Sequence, residues 1–546
     1  MRSRILLSLA LYTAYAAAVP AVGPTVKLDS GTFVGTSSGL TQKFLGIPFA
    51  KPPVGDLRFR LPQPNAPYNG TFDATSFGPS CAQQSVDLPI VSGLTGDAVD
   101  YIVNSIYGQV FPDSEDCLSI NVVKPATATP GSKLPVAVWI FGGGFELGNP
   151  NIYDGGVIVS RSIALGSPVI YVSMNYRLTG LGFLASKEVK AAGVGNLGLQ
   201  DQRQALRWVQ KYITQFGGDP SKVTIWGESA GAISVSLQML ANGGNTEGLF
   251  RAAFMESGAP IPVGDITHGQ KYYDSIVADT GCSKAADTLA CLRTVPYASL
   301  KAAINKTPGI FSFQSLNLAW LPRTDGVFLT ENPQVLVQKN KVANIPYITG
   351  NCDDEGTLFS LSTLNLTTDA QVENWVKTNF FPGVTDAQIN QFKTLYPPDI
   401  TQGSPFDTGI LNALSPQFKR IAAFQGDGVF QAPRRWLLQN TVPTNPNVWS
   451  YISKRLKALP VLGSVHASDI LNVYGGGEMQ DYLIRFVATL NPNSNNLLSF
   501  QWPKFDLKSR QLLVFQDGLI PLTLTTDTYR QDAMNLLTTV SLENPV

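Results

Sequence analysis

Three uninterrupted apolar runs set the pattern of this chain. Val136-Ala-Val-Trp-Ile-Phe141 leads straight into three glycines, and Val169-Ile-Tyr-Val-Ser173 and Val223-Thr-Ile-Trp226 are shorter runs of the same kind. Apolar runs without alternation predict strands buried on both faces, as in a parallel sheet. Between the second and third, Gln200 to Phe216 carries Leu206, Val209 and Ile213 at helical spacing. A further stretch, Asn344 to Gly350, reads as a strand ending in glycine. Strand, helix, strand in succession predicts an α/β fold: a large, mostly parallel central sheet with helices on both faces. In such sheets, sites gather beyond the carboxyl ends of the strands. The 37 prolines and 49 glycines are scattered, so they mark turns rather than a linker. With no repeat and no break in composition, residues 19–546 are expected to form one domain.

The first residues follow a different pattern. Arg2 and Arg4 precede the apolar run Ile5 to Tyr15, and Ala16-Ala17-Ala18 offers small residues for cleavage. This predicts a secretory signal peptide over residues 1–18 and an extracellular destination. No later apolar stretch is long enough to span a bilayer. Charge is balanced, 40 basic against 40 acidic residues, without blocks of either sign, which argues against nucleic acid or a charged membrane surface as partner. Five cysteines in an oxidising compartment leave one unpaired. Spacing pairs Cys282 with Cys291 in a short loop and Cys81 with Cys117 in a longer one, leaving Cys352 as a buried small hydrophobe. Asn69, Asn305 and Asn365 each begin a glycosylation sequon. No cluster of metal-ligand type occurs, and no cofactor is expected.

The candidate chemistry sits where the apolar pattern ends. Gly227-Glu228-Ser229-Ala230-Gly231 follows the run at Val223–Trp226 and precedes Ala232–Leu240, which reads as a helix. A G-x-S-x-G element between strand and helix is a nucleophile elbow: the glycines let both elements pack around a strained turn that exposes the serine hydroxyl. Such a serine attacks a carbonyl and needs N–H donors for the oxyanion it creates. Ala230 supplies one, and the loop Phe141-Gly142-Gly143-Gly144-Phe145 is placed to supply others. A phosphate-cradling role for that loop is disfavoured because no Lys-Ser/Thr follows. Only two histidines exist, His268 and His466. In a serine–acid–histidine order the base comes late, which selects His466 and leaves His268 in a polar loop. The acid is expected among Asp353, Asp354 and Glu355, just past the Asn344–Gly350 strand. Spacing does not choose among the three, and two of them are expected to be solvated bystanders.

These residues carry a likeness. Phe216 to Gly231 resembles the serine signature of the type-B carboxylesterase/lipase family, and Glu115-Asp-Cys-Leu-Ser-Ile-Asn-Val122 resembles its second signature. Phe141-Gly-Gly-Gly-Phe-Glu146, Ile400 to Gly409 and Leu459-Pro-Val-Leu-Gly463 are similar to the fungal lipase and sterol esterase group of the Candida rugosa type. The likeness runs from about Thr25 to near the C-terminus. It implies an α/β-hydrolase fold and a triad of Ser229, Glu355 and His466, with Gly143, Gly144 and Ala230 as the oxyanion hole. It implies the same two disulfides and a lid between Cys81 and Cys117, where Val99, Ile102, Val103, Ile106 and Val110 recur at helical spacing. It also implies an acyl site near Phe311–Leu321, with Asn317 and Leu358 as departures from the close relative. Phe141 stands where many relatives carry histidine.

The activity so implied is hydrolysis of long-chain esters, glycerides or sterol esters, at an oil–water interface, by a monomer or a lid-mediated dimer. A short-chain carboxylesterase is the alternative. A cholinesterase is disfavoured because no tryptophan lies between Cys81 and Cys117. A non-catalytic adhesion homologue is disfavoured because all three triad positions are kept.

Overall fold

The computed structural model describes residues 23–85, 112–496 and 498–546. The expected signal peptide and the apolar stripe Val99–Val110 lie outside the described residues. The strands are β1 (Thr25–Leu28), β2 (Ser30–Val34), β3 (Thr36–Ser38), β4 (Thr41–Pro48), β5 (Asn69–Asp73), β6 (Ser119–Pro125), β7 (Leu134–Ile140) and β8 (Ile170–Met174). They continue with β9 (Gly218–Glu228), β10 (Ala252–Glu256), β11 (Tyr347–Cys352), β12 (Val448–Lys454), β13 (Gln511–Gln516) and β14 (Leu522–Thr526). Among the described residues they form a small sheet, β1-β2-β5, and an eleven-stranded sheet ordered β14-β13-β12-β11-β10-β9-β7-β8-β6-β4-β3. Neighbours from β13 through β8 pair in parallel, and the antiparallel pairs lie toward the edges. This is the α/β-hydrolase fold.

The continuous apolar runs become the inner strands because helices cover both faces. Trp139 on β7 and Trp226 on β9 are fully buried and stand opposite each other in register, ring centroids 4.3 Å apart. The helix predicted over Gln200–Phe216 runs from Leu197 to Tyr212 as α1, burying Leu206 and Val209 against the sheet side. It ends in a tighter turn over Ile213–Phe216 because Gly217 takes φ 94°, a left-handed conformation that closes the helix. The helix after the elbow, α2, spans Ala230–Gly244 and loses helical geometry at Ala241.

Two disulfides, Cys81–Cys117 and Cys282–Cys291, are closed, and Cys352 is free and buried at the end of β11. Beside the main core, a second buried cluster gathers Trp375, Phe380, Phe381, Phe392 and Phe424. It lies next to the site described below.

Candidate active site

The elbow is built by strand β9 meeting helix α2 at a point too tight for side chains. A Cβ on Gly227 would lie 2.5 Å from the carbonyl carbon of Gly231, and one on Gly231 would lie 2.0 Å from the carbonyl oxygen of Ile140. Ser229 between them adopts φ 54°, ψ −126°. Its N–H donates to the Glu256 carbonyl at 2.9 Å, which ties the turn to β10. A non-glycine residue at positive φ is strained, and here the strain lifts the hydroxyl off the sheet edge.

His466 arrives from the loop after β12, far along the chain. Its Nε2 lies 2.8 Å from Ser229 Oγ, and its Nδ1 lies 2.5 Å from Glu355 Oε2. Glu355 Oε1 accepts the Cys352 N–H at 2.7 Å, so both carboxylate oxygens have a partner. Phe359 and Phe430 flank the imidazole, with ring centroids 5.2 and 4.5 Å away. The three side chains singled out from sequence therefore form one hydrogen-bonded line, sealed by aromatic rings.

The remaining candidates sort themselves by geometry. Asp353 and Asp354 do not face the imidazole. Contrary to expectation they are not solvated: Asp353 is 6% exposed and Asp354 0%. Asp353 pairs with Lys457 at 2.6 Å. Asp354 accepts from Ser404 Oγ, Phe406 N, Ser464 N and Lys457 Nζ at 2.7 to 3.0 Å. Their burial is compensated by groups from two distant loops, none visible in local spacing. His268 sits exposed in the turn Ile266–Gly269.

One residue that sequence reasoning passed over stands against this hydrogen-bonded line. Glu228 Oε1 lies 3.3 Å from His466 Nε2, the nitrogen that also faces the serine. The carboxyl is fully buried, and neither oxygen has a hydrogen-bond partner among the described residues. Burial pushes its pKa well above 4.5, and Asp469, Glu256 and Glu355 push it further. Both effects favour the protonated form of this carboxyl over the anion. The only sequence signal was its place inside the elbow.

The glycine loop lies across from the elbow. A Cβ on Gly142 would come within 2.7 Å of Glu228, and Gly143 and Gly144 take φ 104° and 64°. The N–H groups of Gly143, Gly144 and Ala230 donate to no described residue. Ala230 is the first residue of α2, where free N–H groups and the helix dipole favour negative charge. Phe141 stacks on Tyr176 with centroids 4.5 Å apart, packing the root of the loop.

Ser229, Ala230 and Gly144 open onto a cavity of about 790 Å³, open mouth included. Ile233, Ile310, Leu318, Phe380, Phe424 and Phe430 line it, with Asn317, Gln425 and Ser541 as its polar members. The segment Phe311–Leu321 contributes Leu316, Asn317, Leu318 and Leu321 to the wall, and Asn317 Nδ2 is held by the Asn379 carbonyl. Leu358 is buried but does not line the cavity.

The family model described as "Carboxylesterase family" matches residues 22–532. Among curated proteins, Lipase 5 of Diutina rugosa is 46% identical over 517 residues, covering 92% of each chain. Secreted lipase 1 of Botryotinia fuckeliana is 44% identical, covering 89% of this chain and 88% of its own. Secreted triacylglycerol lipase LIP1 of Gibberella zeae is 42% identical, covering 94% and 90%. Among solved structures, EstA of Aspergillus niger superposes with a TM-score of 0.82 at 29% identity, over 96% of this chain and 99% of that one.

Proposed function

The chain belongs to the carboxylesterase family, and from that premise we propose that it is a secreted serine hydrolase of long-chain lipid esters, triacylglycerols and sterol esters. The observation that carries this reading is the unbroken line Ser229–His466–Glu355 at the mouth of a large apolar cavity. In the proposed mechanism His466 Nε2 takes the hydroxyl proton as Ser229 Oγ attacks the ester carbonyl. Glu355 holds the imidazole through Nδ1. The tetrahedral oxyanion lies against the N–H groups of Gly143, Gly144 and Ala230. His466 returns the proton to the departing alkoxide, leaving the acyl group on Ser229. Water, deprotonated by His466, then releases the fatty acid and restores the serine.

The apolar cavity takes the acyl chain, and the desolvation of that chain supplies binding at about 0.8 kcal/mol per buried CH₂. The names of the secreted fungal relatives support export, which would begin with removal of residues 1–18 and leave residues 19–546 as one catalytic domain. Asn69 and Asn365 are exposed and are the favoured glycan sites. Asn305 is engaged with Ser85 through both ends of its amide. The segment between Cys81 and Cys117 is assigned the role of a lid, and the enzyme that of a monomer or lid-mediated dimer.

The test is a rate series across p-nitrophenyl esters, cholesteryl oleate and triolein, with Ser229→Ala beside the parent. Hydrolysis of the long-chain substrates that vanishes in Ser229→Ala supports the reading. Turnover confined to short esters would establish a short-chain carboxylesterase instead, and full activity in Ser229→Ala would remove the nucleophile.

A further inference from the structure

Glu146, two residues past the oxyanion glycines, is completely buried. Its Oε2 accepts the Ile310 N–H at 2.8 Å, while Oε1 has no partner among the described residues. Ile310 is the residue that covers Gly144: a Cβ on that glycine would lie 2.7 Å from Ile310 Cδ1. The same glutamate is joined through its backbone to a third segment. Its carbonyl accepts the Gln84 N–H at 3.0 Å, and Gln84 Nε2 in turn donates to the Thr307 carbonyl at 2.9 Å. Its own N–H donates to the Gly143 carbonyl at 3.1 Å.

The loop needs such a fastening. Gly143, Gly144 and Phe145 all have positive φ, and Phe145, at 61°, has no glycine freedom to justify it. A strained loop keeps its shape only where its surroundings over-determine it. Glu146 joins the glycine loop and the segment after Cys81 through its backbone and the cavity wall at Ile310 through its side chain.

We infer that Glu146 is a positioning residue for the ester hydrolysis proposed above, a clasp that fixes the Gly143–Gly144 donors by pinning Ile310 over Gly144 and bonding its own N–H to the Gly143 carbonyl. It touches no reacting atom and acts through the loop. The clasp is sensitive to pH. Burial raises the Glu146 carboxyl to about 8, against the single Ile310 N–H that lowers it. No charged group among the described residues compensates it: the Gln83–Ser85 segment carries none, Lys306 turns to Asp279, and Arg177 is held by Asp201. At neutral pH the acid is protonated and sits comfortably. Above its pKa it becomes a buried anion with one hydrogen bond, and the fastening loosens. The sign follows from linkage: its pKa is about 8 folded against 4.5 as a free side chain, so the stability it contributes is fully present below 4.5 and lost as pH rises through about 8.

The experiment measures kcat and KM separately on p-nitrophenyl butyrate from about pH 6 to about pH 10, for the parent, Glu146→Gln and Glu146→Leu. The amide of Gln keeps the acceptor for Ile310 and cannot ionise. It is expected to hold kcat at pH 7 within about threefold of the parent and to erase the alkaline fall in kcat centred near pH 8. Leu, which cannot accept the hydrogen bond, is expected to lower kcat about 100-fold at every pH with KM little changed, the cost of misplacing oxyanion donors. An alkaline fall that persists unchanged in Glu146→Gln, or a parental kcat in Glu146→Leu, overturns the inference. Stoichiometric organophosphate labelling of Ser229 in the parent separates the two levels: its failure refutes the hydrolase reading on which the clasp rests.

Discussion

Replacing Glu228 by glutamine tests the electrostatics of the site most sharply. The carboxyl lies 3.3 Å from His466 Nε2, where positive charge develops as the imidazole takes the serine proton. Were it an anion, Coulomb attraction at an effective dielectric of about 20 would stabilise that charge by about 5 kcal/mol. At 1.36 kcal/mol per decade, its removal would then cost between about 10³ and 10⁴ in kcat. Burial and the neighbouring carboxyls of Asp469, Glu256 and Glu355 argue the opposite state, a proton retained well above 4.5. A neutral acid and a neutral amide have the same shape and charge, so Glu228→Gln is expected to lower kcat by less than about tenfold. Stability supplies a second reading. The raised folded pKa means that the parent loses stability as pH rises above 4.5 toward the folded value, and the amide does not. The Tm of Glu228→Gln should therefore gain on the parent across that range. Steady-state kinetics on a soluble butyrate ester, with calorimetric melts at several pH values, read both. A thousandfold loss of kcat at unchanged Tm would refute the reasoning.

Glu355→Gln leaves the line's geometry but imposes the wrong tautomer on His466; kcat should fall about 10⁴-fold with little change in KM. Asp527→Asn strands two buried guanidinium groups, since Asp527 Oδ1 lies 2.8 Å from Arg434 Nη2 and 2.7 Å from Arg435 Nη2. The expected loss is about 3–5 kcal/mol in urea unfolding. Burial opposes the Asp527 charge, but Arg434 and Arg435 overcome it and bring the carboxyl down to about 2; the parent should accordingly lose this contribution as pH falls from 3.8 toward that value. Cys352 is fully buried, with burial pushing its thiol well above 9.0, so the native enzyme should resist iodoacetamide and Cys352→Ala should keep its activity.

Strands and elbow were legible because their causes are local. Val223–Trp226 is apolar without a break, and the glycines at 227 and 231 stand where β9 and α2 leave no room for a side chain. His466 was legible by scarcity. What escaped depends on neighbours brought from far away. Asp354 reads as a surface acid until Ser404, Ser464 and Lys457 close around it. Glu146 reads as an ordinary residue after a glycine loop until Ile310, 164 positions on, donates to it. Periodicity reports which face of an element is buried; it does not report which distant N–H will meet a buried carboxyl.

That limit also explains why spacing alone left the acid partner of His466 open, while in the fold Glu355 is the one of the three acids that meets its Nδ1. Two glutamates approach the same imidazole. Glu355 receives the Cys352 N–H on one oxygen and His466 Nδ1 on the other. Glu228 receives nothing on either. In a cavity walled by Phe359 and Phe430, a carboxylate persists only where donors replace the water it has lost. The supply of hydrogen bonds, rather than proximity to the histidine, distinguishes the two carboxyls. Glu355 is bonded to the imidazole through Nδ1, and Glu228, whose burial favours its protonated form, fills space beside the serine. A single imidazole can have two acids within reach without confusion because the backbone at Cys352 serves only one of them.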